Sequence, residues 1–254
     1  MRKYLGIIGS WLLFVLAAGV ALQVFFLARI GMMTVVDPQS TSFMRSEAWR
    51  LGRSSIGEGT PMTWSAQWAN YDEVSASLKR AVVAAEDARF TEHNGFEWNA
   101  MESAWRKNAK RMAQANAGAK NKPKTRPAQA SVRLVGGSTI SQQLAKNLFL
   151  SGERSYLRKG QEFVLTVMLE GLLSKERILE IYLNTAEWGE GVFGAKAAAQ
   201  HYYKRSPGKL SSYQSAQLAS MLPRPKFYDS RRDSVALSGK ARRVQGRMGA
   251  AAIP

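Results

Sequence analysis

Apolar residues crowd the beginning of the chain and then thin out. From Tyr4 to Ala28 the apolar run is almost uninterrupted, with Gln23 its main break. About 20 apolar residues suffice to cross a bilayer core as a helix, and a secretory signal carries an apolar stretch of only about 7–15. Residues 1–29 therefore read as a short N-terminus and an uncleaved transmembrane helix. Residues 30–70 show no sustained period and contain Asp37-Pro38, Gly57 and Gly59, so 30–59 read as a linker. A helical stripe begins at Val74 and continues through Leu78, Ala81, Val82 and Ala85. After Gly136 the pattern predicts helices at about 140–150, 156–173 and 175–183, then a turn punctuated by Gly189, Gly191 and Gly194. Another helix is predicted at about 195–203, and the S-x-x-Q capping box of Ser211 and Gln214 opens one that Pro223 ends. No convincing period-2 alternation and no internal repeat is found. The predicted fold class is mainly α.

Charge changes the picture. Lys and Arg number 36 against 19 Asp and Glu, a net charge of +17, which calls for an anionic partner. Arg2 and Lys3 hold the N-terminus in the cytoplasm by the positive-inside rule, so the chain beyond the helix is exported. Export puts nucleic acid out of reach and leaves anionic lipid headgroups or a pyrophosphate-bearing substrate. Eight of the cations (Lys107, Lys110, Arg111, Lys120, Lys122, Lys124, Arg126 and Arg133) fall in 107–133 with no acidic residue among them, which reads as a mobile basic insertion. Residues 231–254 read as a basic C-terminal tail. The chain has no cysteine, which excludes disulfides, thiolate metal sites and cysteine nucleophiles.

Three constellations carry candidate chemistry. In Glu86-Asp87-Ala88-Arg89-Phe90-Thr91-Glu92-His93-Asn94-Gly95, Glu86 sits at the edge of the apolar stripe, four residues after Val82. Partial desolvation there would raise its pKa and suit it to proton abstraction; a charged helix end stopped by Gly95 is the plain alternative. His93 reads as a structural imidazole. In the second, Gly136-Gly137-Ser138-Thr139-Ile140-Ser141-Gln142-Gln143-Leu144-Ala145-Lys146-Asn147, Thr139 and Gln142 form a T-x-x-Q capping box. Thr139, Gln143, Lys146 and Asn147 then share one helix face, either solvated or binding sugar and phosphate. In the third, Arg158 and Lys159 could grip phosphate while Glu162 supplies a second carboxylate, or Arg158 and Glu162 could form a surface pair.

Together these segments resemble the peptidoglycan glycosyltransferase family, the glycosyltransferase module of class A penicillin-binding proteins and its monofunctional relatives. The family's E-D-x-x-F-x-x-H-x-G is matched by Glu86, Asp87, Phe90, His93 and Gly95; its G-G-S-T-[IL]-[ST]-Q-Q-L-x-K-N runs from Gly136 to Asn147. Its R-K-x-x-E falls on Arg158, Lys159 and Glu162, and its K-x-x-I-L-E-x-Y-L-N on Lys175, Ile178, Leu179, Glu180, Tyr182, Leu183 and Asn184. The resemblance spans roughly 60–230 and implies a lysozyme-like helical glycosyltransferase domain with a small membrane-proximal lobe.

It also implies an activity: polymerisation of lipid II into β-1,4-linked glycan with inversion at the anomeric carbon and release of undecaprenyl pyrophosphate. Glu86 would be the general base, and Glu162 would orient the substrate or a divalent cation (Mg or Mn). No organic cofactor is implied. Lys146, Arg158 and Lys159 would stabilise the leaving pyrophosphate, with Asp87, Phe90, His93, Ser138, Thr139, Gln142, Gln143 and Asn147 around the site. The implied setting is the bacterial inner membrane, single-pass, with the catalytic domain in the periplasm. Implied partners are lipid II, the lipid-linked strand, membrane lipids and proteins of division or wall synthesis. Ser206-Pro207-Gly208-Lys209 fits S-x-x-K, but no S-x-N or K-T-G accompanies it, so the enzyme reads as monofunctional. The alternatives are a lysozyme-like lytic transglycosylase and a non-enzymatic membrane-tethered scaffold.

Overall fold

The computed structural model describes residues 2–59, 61–120, 137–150, 152 and 155–254. Helix α1, Arg2–Met32, is 31 residues long, about 46 Å at 1.5 Å per residue. That exceeds a hydrocarbon core of about 30 Å by roughly ten residues, and the far end of the helix is where it meets the rest of the chain. Its earlier side chains stand open, with Trp11 and Phe14 among the most exposed apolar residues. Farther on, Gln23 and Gln161 exchange hydrogen bonds at 3.0 Å in both directions. Phe26 meets the Phe149 ring edge-on at 5.2 Å, and Ile30 is fully buried.

Helix α2, Ser42–Glu58, lies in the stretch read as a linker. Thr41 caps it by accepting the Met44 N–H, and Gly59 ends it in the left-handed conformation. Its apolar period is weak because it buries a narrow face, chiefly Met44. Ion pairs hold the rest: Glu47 binds Arg50 at 2.7 Å and Lys226 at 2.5 Å. The linker reading is therefore corrected for 42–58.

Then come α3 (Ala76–Glu86), α4 (Trp98–Lys120), α5 (Ile140–Phe149), α6 (Tyr156–Leu172), α7 (Lys175–Thr185), α8 (Ala195–Tyr203), α9 (Ser212–Met221), α10 (Pro225–Asp229) and α11 (Val235–Arg247). The mainly α class holds, and both predicted capping boxes, at α5 and α9, are formed. A small sheet joins β1 (Ser65–Ala66), β2 (Glu187–Gly189) and β3 (Val192–Phe193) in the order β1-β3-β2, with β1 parallel and β2 antiparallel to β3. Strands of two or three residues are too short to display alternation, which is why the sequence hid them. The β2–β3 turn needs Gly191: its φ is +67°, and a Cβ there would lie 2.1 Å from the Thr63 carbonyl oxygen.

Two further readings change. The basic insertion assigned to 107–133 is helical as far as Lys120, as the end of α4; 121–133, like Gly136, lies outside the described residues. The stretch read as a tail contains α11, which packs on α9 and α3. Leu237, Ala241, Val244 and Met248 form a buried stripe at helical spacing. Six cations in and just before α11 masked that stripe in a composition count: Arg231, Arg232, Lys240, Arg242, Arg243 and Arg247.

Candidate active site

Glu86 is the last residue of α3, and Asp87 caps that helix. Asp87 is buried; its Oδ2 accepts the Ile140 N–H at 3.0 Å, at the start of α5, and its Oδ1 pairs with His93 Nε2 at 2.9 Å. A carboxylate at a helix N-terminus meets free N–H groups and the positive end of the helix dipole. His93 Nδ1 accepts the Gly95 N–H at 3.1 Å, so Nε2 carries the proton donated to Asp87. Thr139 donates its hydroxyl to the Gly95 carbonyl at 2.7 Å, while Gln142 Oε1 accepts the Thr139 N–H at 3.0 Å. Phe90 is fully buried, with the Lys175 ammonium 4.5 Å from its ring centre. Lys175 itself binds Glu170 at 2.8 Å. Asp87, Phe90, His93, Thr139 and Gln142 thus form the frame that ties α3 to α5. Their polar groups are engaged within the protein, which places them behind the site rather than on its surface.

The frame fixes Glu86. Its Oε2 accepts a hydrogen bond from Gln143 Nε2 at 2.9 Å, and Gln143 Oε1 accepts the Tyr182 hydroxyl at 3.1 Å. Glu86 Oε1 is buried without a hydrogen-bond partner among the described residues. Burial pushes the Glu86 carboxyl above the usual range and neighbouring Asp87 adds to this, while Gln143, Lys240 and Lys146 pull it back. The Tyr182 phenol is pushed well up, first by burial and then by Glu86 and Asp87.

Gln143, Lys146, Asn147, Arg158, Tyr182 and Glu187 line a cleft of about 370 Å³. Glu86 stands behind Gln143 and opens on an adjoining cavity of about 210 Å³, with Lys240, Arg243 and Arg247. The Lys146 ammonium has no hydrogen bond or ion pair among the described residues. Partial desolvation first, and the like charges of Arg158 and Lys159, lower its pKa; Glu162 and Glu86 oppose this. Lys146 is exposed and lines the cleft. Glu162 is buried, with Oε2 3.0 Å from an Arg158 guanidinium nitrogen and Oε1 2.5 Å from the Lys159 ammonium. Arg158 lines the cleft, and Lys159 borders the opening beside it with Tyr156. Ser138 is exposed, and its carbonyl is 3.5 Å from Gln143 Nε2.

A resident metal does not fit these residues. No group of three or more His, Asp or Glu able to hold one occurs among the described residues. Both oxygens of Glu162 are already taken by cations.

Comparison with known proteins decides the family. The transglycosylase family model matches residues 55–121 and 123–249. The chain belongs to the transglycosylase family. A biosynthetic peptidoglycan transglycosylase of Paraburkholderia phytofirmans is 48% identical over 238 residues, covering 93% of this chain and 89% of the relative. That of Burkholderia thailandensis is 48% identical over 247 residues, covering 97% of this chain and 84% of the relative. That of Burkholderia pseudomallei is 46% identical over 252 residues, covering 97% and 89%. The transglycosylase match includes α11, in keeping with its place in the core. In this transglycosylase the cleft also contains residues that the sequence reading left out of the site: Phe43, Tyr182 and Glu187, with Lys240 and Arg243 beside Glu86. Tyr182 lay within the K-x-x-I-L-E-x-Y-L-N match; the others carried no local signal.

Proposed function

We propose that this peptidoglycan glycosyltransferase joins lipid II units into β-1,4-linked glycan at a membrane surface, with Glu86 as general base. The observation that carries the reading is a buried carboxylate held by Gln143 beside a cleft bearing the Lys146 and Arg158 cations. The acceptor's GlcNAc 4-hydroxyl oxygen forms the new bond to the donor's anomeric carbon. Its proton passes to Glu86. The bond from that carbon to the phosphate oxygen breaks on the opposite face, inverting α to β, and its electron pair leaves with undecaprenyl pyrophosphate. A positioned base typically contributes about 10²–10⁴ in rate. Cations set in advance where charge develops often supply the largest share of the remainder.

Lys146, lacking an internal partner among the described residues, suits the departing diphosphate. Glu162 acts as the clamp that orients Arg158 and Lys159. A lytic enzyme acting on finished glycan has no diphosphate to stabilise and leaves this cluster unexplained. The helix from Ile7 to Met32 is long and apolar enough to anchor the chain in a membrane. In our reading that is a bacterial inner membrane, with the N-terminal Arg2 and Lys3 on the cytoplasmic side and the cleft in the periplasm. The test is lipid II polymerisation by wild type and Glu86→Gln. Polymer from the first and a loss of at least about 10²-fold in the second are expected; release of anhydro-muropeptides from sacculi would overturn the reading.

A further inference from the structure

One carboxyl group in the cleft has no part in the glycosyl transfer itself. Glu187 opens β2, is 8% exposed, and lines the same cavity as Lys146, Asn147 and Tyr182. Its Oε1 is buried without a hydrogen bond among the described residues. A buried polar atom left so is costly and rare in folded proteins.

The surrounding charges explain why it is only loosely paired. Lys226 Nζ lies 3.5 Å from Glu187 Oε1, but its short contact, 2.5 Å, is to Glu47 on α2. Glu47 also takes Arg50, and Arg50 reaches Glu190 beyond β2. Three carboxyls thus share two cations, and Glu187 has the longest contact of them. Burial pushes its carboxyl up to about 7, with Glu47 and Glu190 adding to the rise and Lys226 opposing it. A carboxyl that is protonated near neutrality offers one donor and one acceptor. That pair matches a hydroxyl or an acetamido group and is poorly suited to a diphosphate. Phe43, Leu222 and Pro225 give the same cavity apolar walls, against which the C–H face of a sugar ring can rest.

We propose that Glu187 is a sugar-binding residue, its carboxyl meeting a hydroxyl or acetamido group of one saccharide ring that lies against Phe43. The inference rests on the glycan-polymerising reading, and its test separates the two. Polymerisation of lipid II is measured for wild type, Glu187→Ala, Glu187→Gln and Phe43→Ala, with folding followed by circular dichroism. Absence of wild-type polymer would sink the underlying reading whatever Glu187 does. Given polymer, Glu187→Ala should raise KM about tenfold, the scale of one good hydrogen bond, with kcat within about threefold. Glu187→Gln, which keeps a donor and an acceptor, should recover most of the loss, and Phe43→Ala should raise the same KM. A lipid II with its 4-hydroxyl blocked can only donate; varying it against fixed lipid II, and the reverse, assigns the ring to donor or acceptor. A rise in either KM supports the proposal. Unchanged KM in both arms, or a joint loss of kcat and folded signal that Gln does not restore, overturns it.

Discussion

Gln143 donates to Glu86 at 2.9 Å while its own carbonyl is held by Tyr182 at 3.1 Å. This fixes which end of the amide faces the carboxylate, and it favours the ionised base. Gln143→Ala removes a bond that lowers the Glu86 pKa, so the acid limb of kcat against pH should move to higher pH. Tyr182→Phe frees the amide to turn, and kcat should fall roughly fivefold, the worth of one ordinary hydrogen bond of about 1 kcal/mol. Initial rates on lipid II give both profiles, and an unmoved acid limb in Gln143→Ala would count against Glu86 as the base.

Glu162 carries two cations on one buried carboxylate. Glu162→Ala leaves Arg158 and Lys159 unheld. Removing one partner of a fully buried pair costs about 3–5 kcal/mol, but Lys159 is half exposed, so a loss of about 1–3 kcal/mol is expected in urea denaturation. Polymerisation should fall much further than stability, since the phosphate-facing cations lose their orientation. A variant with full activity would refute the clamp.

Helix α11 is core. Leu237→Ala removes a fully buried side chain and should cost about 2–5 kcal/mol, measured by urea denaturation of the detergent-solubilised protein. Truncation before Val235 should yield unfolded or aggregated protein, because α9 and α3 would lose the surface they pack on. A soluble, active truncation would restore the tail reading.

The pH dependence of stability has a definite sign at Glu187. Its folded pKa of about 7 lies above the ordinary 4.5, so the unfolded state releases this proton first. Stability from the group is full below about 4.5, declines as pH rises, and is lost above about 7. Lys226, Glu47, Glu190 and Arg50 are the charges set around it. Glu187→Gln should therefore raise the thermal midpoint relative to wild type more at pH about 8 than at pH about 5. Equal shifts at both would mean that the carboxyl does not titrate in this range.

The anchor docks rather than dangles. Gln23 and Gln161 face each other across α1 and α6. The chain lacks cysteine, so Gln23→Cys with Gln161→Cys gives a clean pair for a short thiol cross-linker. Intramolecular cross-linking should be rapid in membranes; its absence would detach the helix from the domain.

The features legible in the chain alone were local. The anchor is a matter of length and hydropathy, and the capping boxes of α5 and α9 need only residues three apart. Glu86 was legible because it stands one helical step beyond an apolar stripe, and burial does raise its pKa. The four matched motifs specified the family for the same reason: each is a contiguous run.

Tertiary structure alone decided which of those residues face substrate. Asp87 and Thr139 look as available as Gln143 on paper, yet their hydrogen bonds close on Ile140 and Gly95, residues brought together only when α3 and α5 meet. The helix in 42–58, the core position of α11 and the place of Glu187 were likewise hidden. Each depends on partners distant in sequence, such as Glu47 with Lys226, and the physical reason is general: periodicity records which face of an element is apolar, whereas a charge is paired or left free according to what folding places beside it.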